Sequence, residues 1–312
     1  MSRFHRAIYL TGPTAVGKTA LGVALARKLD AEVVALDSMT LYRRMDIGTA
    51  KPSVEERGGV PHHLIDVLEP SESSNVADYR RWAGDVLDQI EARGRRALFV
   101  GGTALYLKAL IRGLFEGPKG DPELRAVLER EAERDGPLAV HDRLRAIDPE
   151  SANRLHPNDL RRVIRALEVV ETSGRNLSAY QVEHEHPAPS NVAVFALERP
   201  RDVVRERIDR RVEQMFAQGL VEEVRGLIAE VPPIGPVAAQ GVGYKEVIDL
   251  LDGRVDQATA IERTRARTRQ FAKRQATWFR GLVEVKPFPL DPDEPIGATV
   301  DRLARQVDAP GL

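Results

Sequence analysis

The chain contains no cysteine, has few aromatic residues and lacks a long apolar run. The absence of cysteine excludes disulfides, thiolate catalysis and cysteine-ligated zinc sites, and is typical of proteins from a reducing compartment. No stretch reaches the roughly 20 apolar residues that a membrane span needs. The apolar run near the amino terminus is too short for a signal peptide. We therefore expect a cytoplasmic protein that does not insert into a membrane.

The chain also has no excess of charge of either sign. Its 312 residues include 46 Lys and Arg and 47 Asp and Glu, which gives a formal net charge of −1. A surface for a polyanion must therefore come from local clustering of basic residues. Hydrophobic residues make up 42% of the chain and charged residues 30%, as in ordinary globular proteins. The length allows one large domain or two modest ones.

A phosphate-binding loop is present near the amino terminus. An apolar run at residues 7–10 leads into GPTAVGKT at residues 12–19, and a helical pattern follows. This order of strand, glycine-rich loop and helix fits the motif G-x-x-x-x-G-K-[ST]. The glycines let backbone N–H groups surround an anion, Lys18 adds a positive charge, and the Thr19 hydroxyl can bind Mg²⁺. The motif predicts bound phosphate groups but does not say which molecule carries them.

The neighbouring apolar runs indicate the fold class. Residues 32–36 and 97–100 are predicted strands, and residues 76–92 between them are a predicted helix. Alternating strands and helices predict an α/β fold with a parallel sheet, whose ligands lie beyond the carboxyl ends of the strands. A further strand is predicted at residues 192–197, and later helices at 201–217, 219–229 and 256–280. The Pro- and Asp-rich tail after Pro287 is expected to be loosely held until residue 298.

The pattern changes in the middle of the chain. A turn-rich segment begins after Phe115, and few strand candidates follow it. Charged helical patterns lie at residues 123–134, 138–146 and 160–172. We predict that residues 117–189 form a helical insertion domain, and that residues 1–116 and 190–312 form a P-loop core domain with C-terminal helices.

The ends of the second and third predicted strands carry candidate site residues. Asp37 ends one strand and Gly101-Gly102-Thr103 ends the other. Asp37 is a candidate general base, a candidate water-mediated Mg²⁺ ligand, or a cap of the next turn; converging strand ends favour a functional role. A P-loop ATPase usually has an Asp at the end of a second strand, where it holds Mg²⁺. No acid follows the third predicted strand of this chain. A small-molecule kinase and a transferase with a diphosphate substrate both remain open.

Two clusters of basic residues follow. Residues 161–165 contain three arginines, and residues 263–280 contain seven Lys or Arg and no acid, with aromatic residues interleaved. The first cluster alone is typical of a solvated helix face. The second predicts a strip for a polyanion, where aromatic side chains can stack on unpaired bases. His62 and His63 have no partners at metal-ligand spacing, so a structural or surface role is expected for them.

In this order the motifs resemble the tRNA dimethylallyltransferase family, in its bacterial form. The resemblance covers most of the chain and rests on GPTAVGKT, DSMTLY, MDIGTAKP, HHLID, GGTALYLKAL, HPNDLRRVIRALEV, GLVEEV, GVGYKE and TRQFAKRQATWFR. It implies a P-loop-kinase-like core with a helical insertion. It also implies that dimethylallyl diphosphate donates its prenyl group to the exocyclic amine of adenosine 37 in tRNA, giving N6-(dimethylallyl)adenosine and diphosphate.

The resemblance further implies residue roles. Lys18 and Thr19, the latter with Mg²⁺, would neutralise the leaving diphosphate, and Asp37 would accept the amine proton. The implied diphosphate contacts are Gly12, Pro13, Thr14, Ala15, Val16, Gly17, Lys18, Thr19 and Arg207. The implied tRNA contacts are Asp37, Ser38, Met39, Thr40, Thr103, Arg125, Arg161, Arg162, Val163, Ile164, Arg165, Arg269, Lys273, Arg274 and Arg280. The last four lie on a segment expected to grip the anticodon stem.

The sequence departs from the family pattern at a few positions. Many members carry Ser at Val16, Gln at Thr40, Gly at Ala104 and Gln at Arg161.

A monomer is expected. The alternatives are an ATP-dependent small-molecule kinase, which does not account for the acid-free basic run, and a non-catalytic RNA-binding module, which leaves the phosphate loop and Asp37 without a role.

Overall fold

The computed structural model describes residues 2–114, 117–118, 120–183, 187–189 and 191–309. These residues divide into two compact units. The first unit falls within Met1–Ile111 and Ala188–Leu312, and the second within Arg112–Pro187.

The first unit is built on a six-stranded parallel sheet. Its strands are β1 (Ile8–Thr11), β2 (Ala31–Ala35), β3 (His62–His63), β4 (Arg96–Val100), β5 (Ala193–Glu198) and β6 (Lys286–Pro289). Their order across the sheet is β3-β2-β4-β1-β5-β6, and every pairing is parallel. The predicted α/β fold with a parallel sheet is therefore confirmed.

Helices connect the strands and cover the sheet. After a 3₁₀ turn at Arg3–Arg6 they are, in chain order, α1 (Lys18–Lys28), α2 (Val54–Arg57), α3 (Val76–Ala92), α4 (Ala104–Arg112), α5 (Pro122–Asp135), α6 (Pro137–Ile147), α7 (Pro149–Arg154), α8 (Leu160–Ser173), α9 (Leu177–Glu183), α10 (Arg201–Ala217), α11 (Leu220–Ala229), α12 (Pro236–Ala239), α13 (Tyr244–Leu251), α14 (Gln257–Arg280) and α15 (Ile296–Val307).

Both faces of the sheet are buried, which is why its strands read as continuous apolar runs. Tyr9 of β1 points into a core that includes α3 and α4, whereas its neighbours Ile8 and Leu10 point into a second core that includes α1 and α15. This alternation follows from the two-residue repeat of a strand. The sheet is thus held rigidly between two layers, and the loops at its carboxyl edge start from fixed positions.

Two strands were absent from the sequence prediction. β3 has only two residues, too few to form an apolar pattern. β6 contains Pro287 and Pro289, which are tolerated because it is an edge strand. Phe288 of β6 is buried and packs edge-on against Phe195 at 6.5 Å between ring centroids. The expectation of a loosely held tail after Pro287 is therefore wrong at residues 288–290, which belong to or directly follow this strand.

The second unit contains α5–α9. Its core is formed by aliphatic side chains from several of these helices, including Leu128, Val140, Leu144, Val163 and Leu167. The three charged helical patterns predicted here correspond to α5, α6 and α8. Within the described ranges of the chain, no helix combines the length and apolarity that crossing a bilayer requires.

Candidate functional site

The loop between β1 and α1 has the backbone of an anion site. Gly12 and Gly17 have φ angles of 137° and 111°, which side chains rarely adopt. A Cβ atom on Gly12 would also lie 2.7 Å from the Leu197 carbonyl oxygen. Because α1 begins at Lys18, its first N–H groups have no acceptor within the helix and remain available to an anion.

Some backbone donors of the loop already have partners. The Thr14 N–H donates to the Gln275 side-chain oxygen at 2.8 Å, and the Val16 N–H donates to the Pro13 carbonyl at 3.4 Å. Pro13 itself has no N–H, and the Val16 side chain is fully buried. Pro13, Thr14 and Val16 therefore offer no free backbone donor to a phosphate. The donors that remain are those at Ala15 and around the start of α1.

Four cationic side chains lie around this loop. The Lys18 amine donates to the carbonyls of Gly12 and Pro13 at 2.9 and 2.8 Å. Arg199 donates to the Val16 carbonyl at 3.0 Å, Arg207 to the Ala15 carbonyl at 2.7 Å, and Arg211 to the Thr14 hydroxyl at 3.4 Å. Arg207 was expected here. The sequence analysis did not identify Arg199. Arg211 lies one helical turn after Arg207 on α10, and this spacing was the only signal for it.

Two charged groups of the site have shifted pKa values. Burial lowers the pKa of Lys18 to about 8, although the negative charge of Asp37 acts in the opposite direction, and Arg211 adds to the lowering. Burial also raises the pKa of Asp37, against the hydrogen bond that its Oδ1 accepts from the Met39 N–H at 2.8 Å and the charge of Lys18. A carboxylate with a raised pKa is a stronger base.

Hydrogen bonds join the loops after β2 and β4. The Ser38 N–H donates to the Thr103 hydroxyl at 3.1 Å, and the Thr103 N–H donates to the Leu36 carbonyl at 3.1 Å. Thr103 thereby fixes the backbone on both sides of Asp37.

The loops that follow β1, β2 and β4 line one cavity of about 840 Å³. Lys18, Thr19, Asp37 and Gly101 line it together with Arg207. Thr40 also lines this cavity, and although it is only 7% exposed, its hydroxyl has no hydrogen-bond partner among the described residues. The cavity therefore joins a cationic phosphate loop to a carboxylate of raised pKa and a buried hydroxyl.

The described residues contain no cluster of three or more His, Cys, Asp or Glu side chains that could hold a metal ion. His62 donates from Nδ1 to the Val60 carbonyl at 2.8 Å, and His63 contacts Glu32 at 2.6 Å. Both histidines thus have structural partners. Thr19, which is exposed to the cavity, offers a hydroxyl oxygen of the kind that Mg²⁺ accepts beside phosphate oxygens.

The basic run on α14 is acid-free in sequence but not in space. Arg263 lies 3.9 Å from Asp249, Arg265 pairs with Glu213 and Glu262, Arg267 with Glu246, and Arg269 with Asp209. The acids on other helices neutralise the first half of the run, and Glu262 lies just outside it. The tRNA contact predicted for Arg269 must therefore compete with an ion pair.

The second half of α14 is different. Lys273, Arg274 and Arg280 have no carboxylate partner in the part of the chain that the structure describes. Phe271 and Trp278 are 36% and 41% exposed, and the Arg274 guanidinium lies 6.0 Å from the Phe271 ring centroid. This half of the helix presents cations and aromatic surface to solvent.

In the second unit, only part of the predicted RNA set is accessible. Val163 and Ile164 are buried in its core, which leaves their side chains unavailable for the tRNA contacts predicted at these positions. The reason is that α8 is amphipathic, and both residues lie on its apolar face. Arg161 and Arg162 are exposed, and Arg162 pairs with Asp159 at 3.2 Å.

Arg125 and Arg165 share one buried carboxylate. Glu168 accepts from Arg125 at 3.0 Å, from Arg165 at 2.6 Å and from the Asp121 N–H at 2.6 Å. Burial opposes ionisation of Glu168, but these hydrogen bonds together hold its pKa below the usual range. Arg125 and Arg165 therefore have a structural partner in addition to any role with RNA.

Known proteins match this chain over nearly its whole length. A family model described as IPP transferase matches residues 40–282. A tRNA dimethylallyltransferase of Geobacillus thermodenitrificans is 43% identical over 304 residues, covering 97% of this chain and 96% of the relative. One from Geobacter sulfurreducens is 47% identical over 274 residues, with 88% of each chain covered.

Solved structures agree. The full-length tRNA isopentenylpyrophosphate transferase of Bacillus halodurans is 41% identical, with a TM-score of 0.71 and 97% of both chains covered. A eukaryotic dimethylallyltransferase acting on tRNA is 28% identical, with a TM-score of 0.75, over 90% of this chain and 73% of the other.

Proposed function

The chain belongs to the IPP transferase family, and from that membership we propose that it prenylates tRNA. It transfers the dimethylallyl group of dimethylallyl diphosphate to the exocyclic amine of adenosine 37. The amine nitrogen forms a bond to the allylic carbon, the bond between that carbon and the diphosphate oxygen breaks, and the amine gives up a proton. One observation carries this proposal: a phosphate loop and a carboxylate of raised pKa line the same cavity.

The phosphate loop binds the leaving group. Diphosphate departs readily only when its developing charge is neutralised, and preorganised donors at that position lower the barrier most. Lys18 and the N–H groups at the start of α1 supply these donors, and Arg207 adds a guanidinium beside Gly17. The Thr19 hydroxyl would hold Mg²⁺ beside the diphosphate, and the ion would supply further charge neutralisation.

Asp37 serves the other reactant. An aromatic amine is a weak nucleophile, and a carboxylate that accepts its proton during attack increases the rate. The Met39 N–H donates to one carboxylate oxygen and the Thr40 N–H also acts on the carboxylate, so both orient the group that accepts the amine proton. Thr40 places in the same cavity a hydroxyl that has no partner among the described residues, where the edge of a purine can satisfy it.

The second half of α14 binds the anticodon stem-loop. Lys273, Arg274 and Arg280 contact phosphates, and Phe271 and Trp278 stack on unpaired bases. Arg269 contributes less because its Nε donates to Asp209 Oδ1 at 2.8 Å, and this carboxylate neutralises its charge. In the second unit, exposed Arg161 and Arg162 add phosphate contacts.

A labelling experiment tests this function. The protein is incubated with unmodified tRNA and Mg²⁺, and with either labelled dimethylallyl diphosphate or ATP labelled in its terminal phosphate. We expect label in tRNA from the prenyl donor alone, located on adenosine 37 after nuclease digestion. A tRNA with guanosine at that position is the matched acceptor control. Transfer of the ATP label to a small acceptor would instead identify a kinase, and binding of tRNA without transfer from either donor would identify a binding module.

A further inference from the structure

One side chain connects α14 to both halves of the cavity. Gln275 is only 5% exposed, and both ends of its amide are used. Its Oε1 accepts from the Thr14 N–H at 2.8 Å, and its Nε2 donates to the Gly102 carbonyl at 2.8 Å. Thr14 belongs to the phosphate loop, and Gly102 belongs to the loop that follows β4. The amide therefore bridges two loops that are far apart in sequence.

The fit around this amide is tight. A Cβ atom on Gly102 would stand 2.3 Å from Gln275 Nε2, so only glycine lets the amide approach that carbonyl. The two partners also require an amide, because an N–H needs an acceptor and a carbonyl needs a donor. Glutamate would supply the acceptor but no donor when ionised, and methionine would supply neither.

The bridge continues toward Asp37. Gly102 precedes Thr103, whose hydroxyl accepts from the Ser38 N–H at 3.1 Å, next to Asp37. We propose that Gln275 is a positioning residue that sets the distance between the phosphate loop and the Asp37 loop. It acts through Thr14 and Gly102 on the relative placement of the leaving group and the base. This inference rests on the proposed function, since it concerns the rate of the same transfer.

Misplacement of reacting groups by about 1 Å can slow a reaction about 100-fold without loss of binding. We therefore expect Q275M to lower the single-turnover rate of prenyl transfer by about 10- to 100-fold, with the affinities for donor and tRNA changed less than about threefold. Q257M, at an exposed position on the same helix, is the matched control and should keep the wild-type rate. A wild-type rate in Q275M would overturn the proposal, as would weakened binding that accounts for the whole loss.

The Q275E variant adds a second measurement, the pH dependence of its transfer rate relative to wild type. This ratio would not change with pH if Gln275 only stabilised the fold. Below the pKa of the new carboxyl its O–H can donate to the Gly102 carbonyl, whereas the ionised form repels that oxygen. Because position 275 is buried, the pKa of a carboxyl there is raised, and the rate of Q275E relative to wild type should rise as pH falls from 8 to 6. Lys18, Arg199, Arg207, Arg211 and Asp37 are the charged groups on the surrounding elements, and both proteins carry them, so the ratio isolates the effect of the new carboxyl.

These outcomes separate the two proposals. A wild-type protein that transfers no prenyl group refutes the function itself. An active wild type with a pH-independent Q275E ratio refutes only the positioning role. If Q275M fails to fold, as judged by circular dichroism, the Q275E ratio decides the question.

Discussion

Binding of the prenyl donor should weaken as pH rises through about 8, because Lys18 then loses its charge. Lysine is a cation below its pKa, and burial has lowered that pKa from 10.5 to about 8. The cationic fraction of Lys18 falls from about 0.9 at pH 7 to about 0.1 at pH 9, so donor affinity should fall about tenfold across this range. The second ionisation of a phosphate ester has a pKa near 6, so the donor's own charge rises only slightly from pH 7 to 9 and does not account for a weaker affinity.

Isothermal titration calorimetry of dimethylallyl diphosphate at pH 7, 8 and 9, at constant ionic strength and without tRNA, measures this effect. In buffers of different ionisation enthalpy, binding at pH 9 should take up close to one proton, since the anion restores the Lys18 charge. K18R should bind with little pH dependence because a guanidinium stays charged. D37N should move the decline to lower pH, since Asp37 supports the Lys18 charge. A wild-type affinity that is constant from pH 7 to 9 would refute the reasoning.

Three further perturbations test other parts of the site. D37A should lower the transfer rate by at least about 100-fold, the usual contribution of a general base, with tRNA affinity within about twofold in filter binding; an unimpaired rate would remove Asp37 as the base. T40V deletes a buried hydroxyl that has no partner among the described residues, so thermal unfolding should show equal or higher stability, by up to about 1 kcal/mol, while transfer slows; a destabilised but fully active variant would contradict this. The double variant K273A/R274A should reduce the slope of log tRNA affinity against log salt by about 1.5, whereas R265A, whose guanidinium pairs with Glu213, should change it by less than about 0.5; equal changes would show that pairing does not decide which cations reach RNA.

Much of the fold was predictable because the sheet is buried on both faces. Strands β1, β2, β4 and β5 each contain a short apolar run between turn residues, which is a recognisable pattern. The phosphate-loop motif also indicated the positions of the first strand and helix. The missed strands lacked that signal: β3 is too short and β6 contains two prolines. What holds β6 in place is Phe288 against Phe195, a contact between residues far apart in sequence.

The residues of the candidate site could likewise be predicted only in part. Residues within one motif, such as Lys18 and Thr19, could be placed from local spacing alone. Arg199 and Gln275 could not, because their roles come from hydrogen bonds to a loop more than 180 residues away. The acidic partners of the basic run could not be predicted from the neighbouring sequence either, since Asp209 and Glu246 lie on other helices. A count of charges along the sequence therefore overstates the cations that α14 offers to RNA.

The pairing also decides where on α14 the RNA can act. The arginines from Arg263 to Arg269 have acidic partners, and the cations without a carboxylate partner in the described part of the chain begin at Lys273. Gln275, which contacts the phosphate loop and the loop after β4, lies within this same segment. With a rise of about 1.5 Å per residue, Arg274 and Arg280 lie within about 8 Å of Gln275 along the helix axis. The cations proposed to hold the stem-loop and the amide proposed to align the reacting groups thus belong to two turns of one helix.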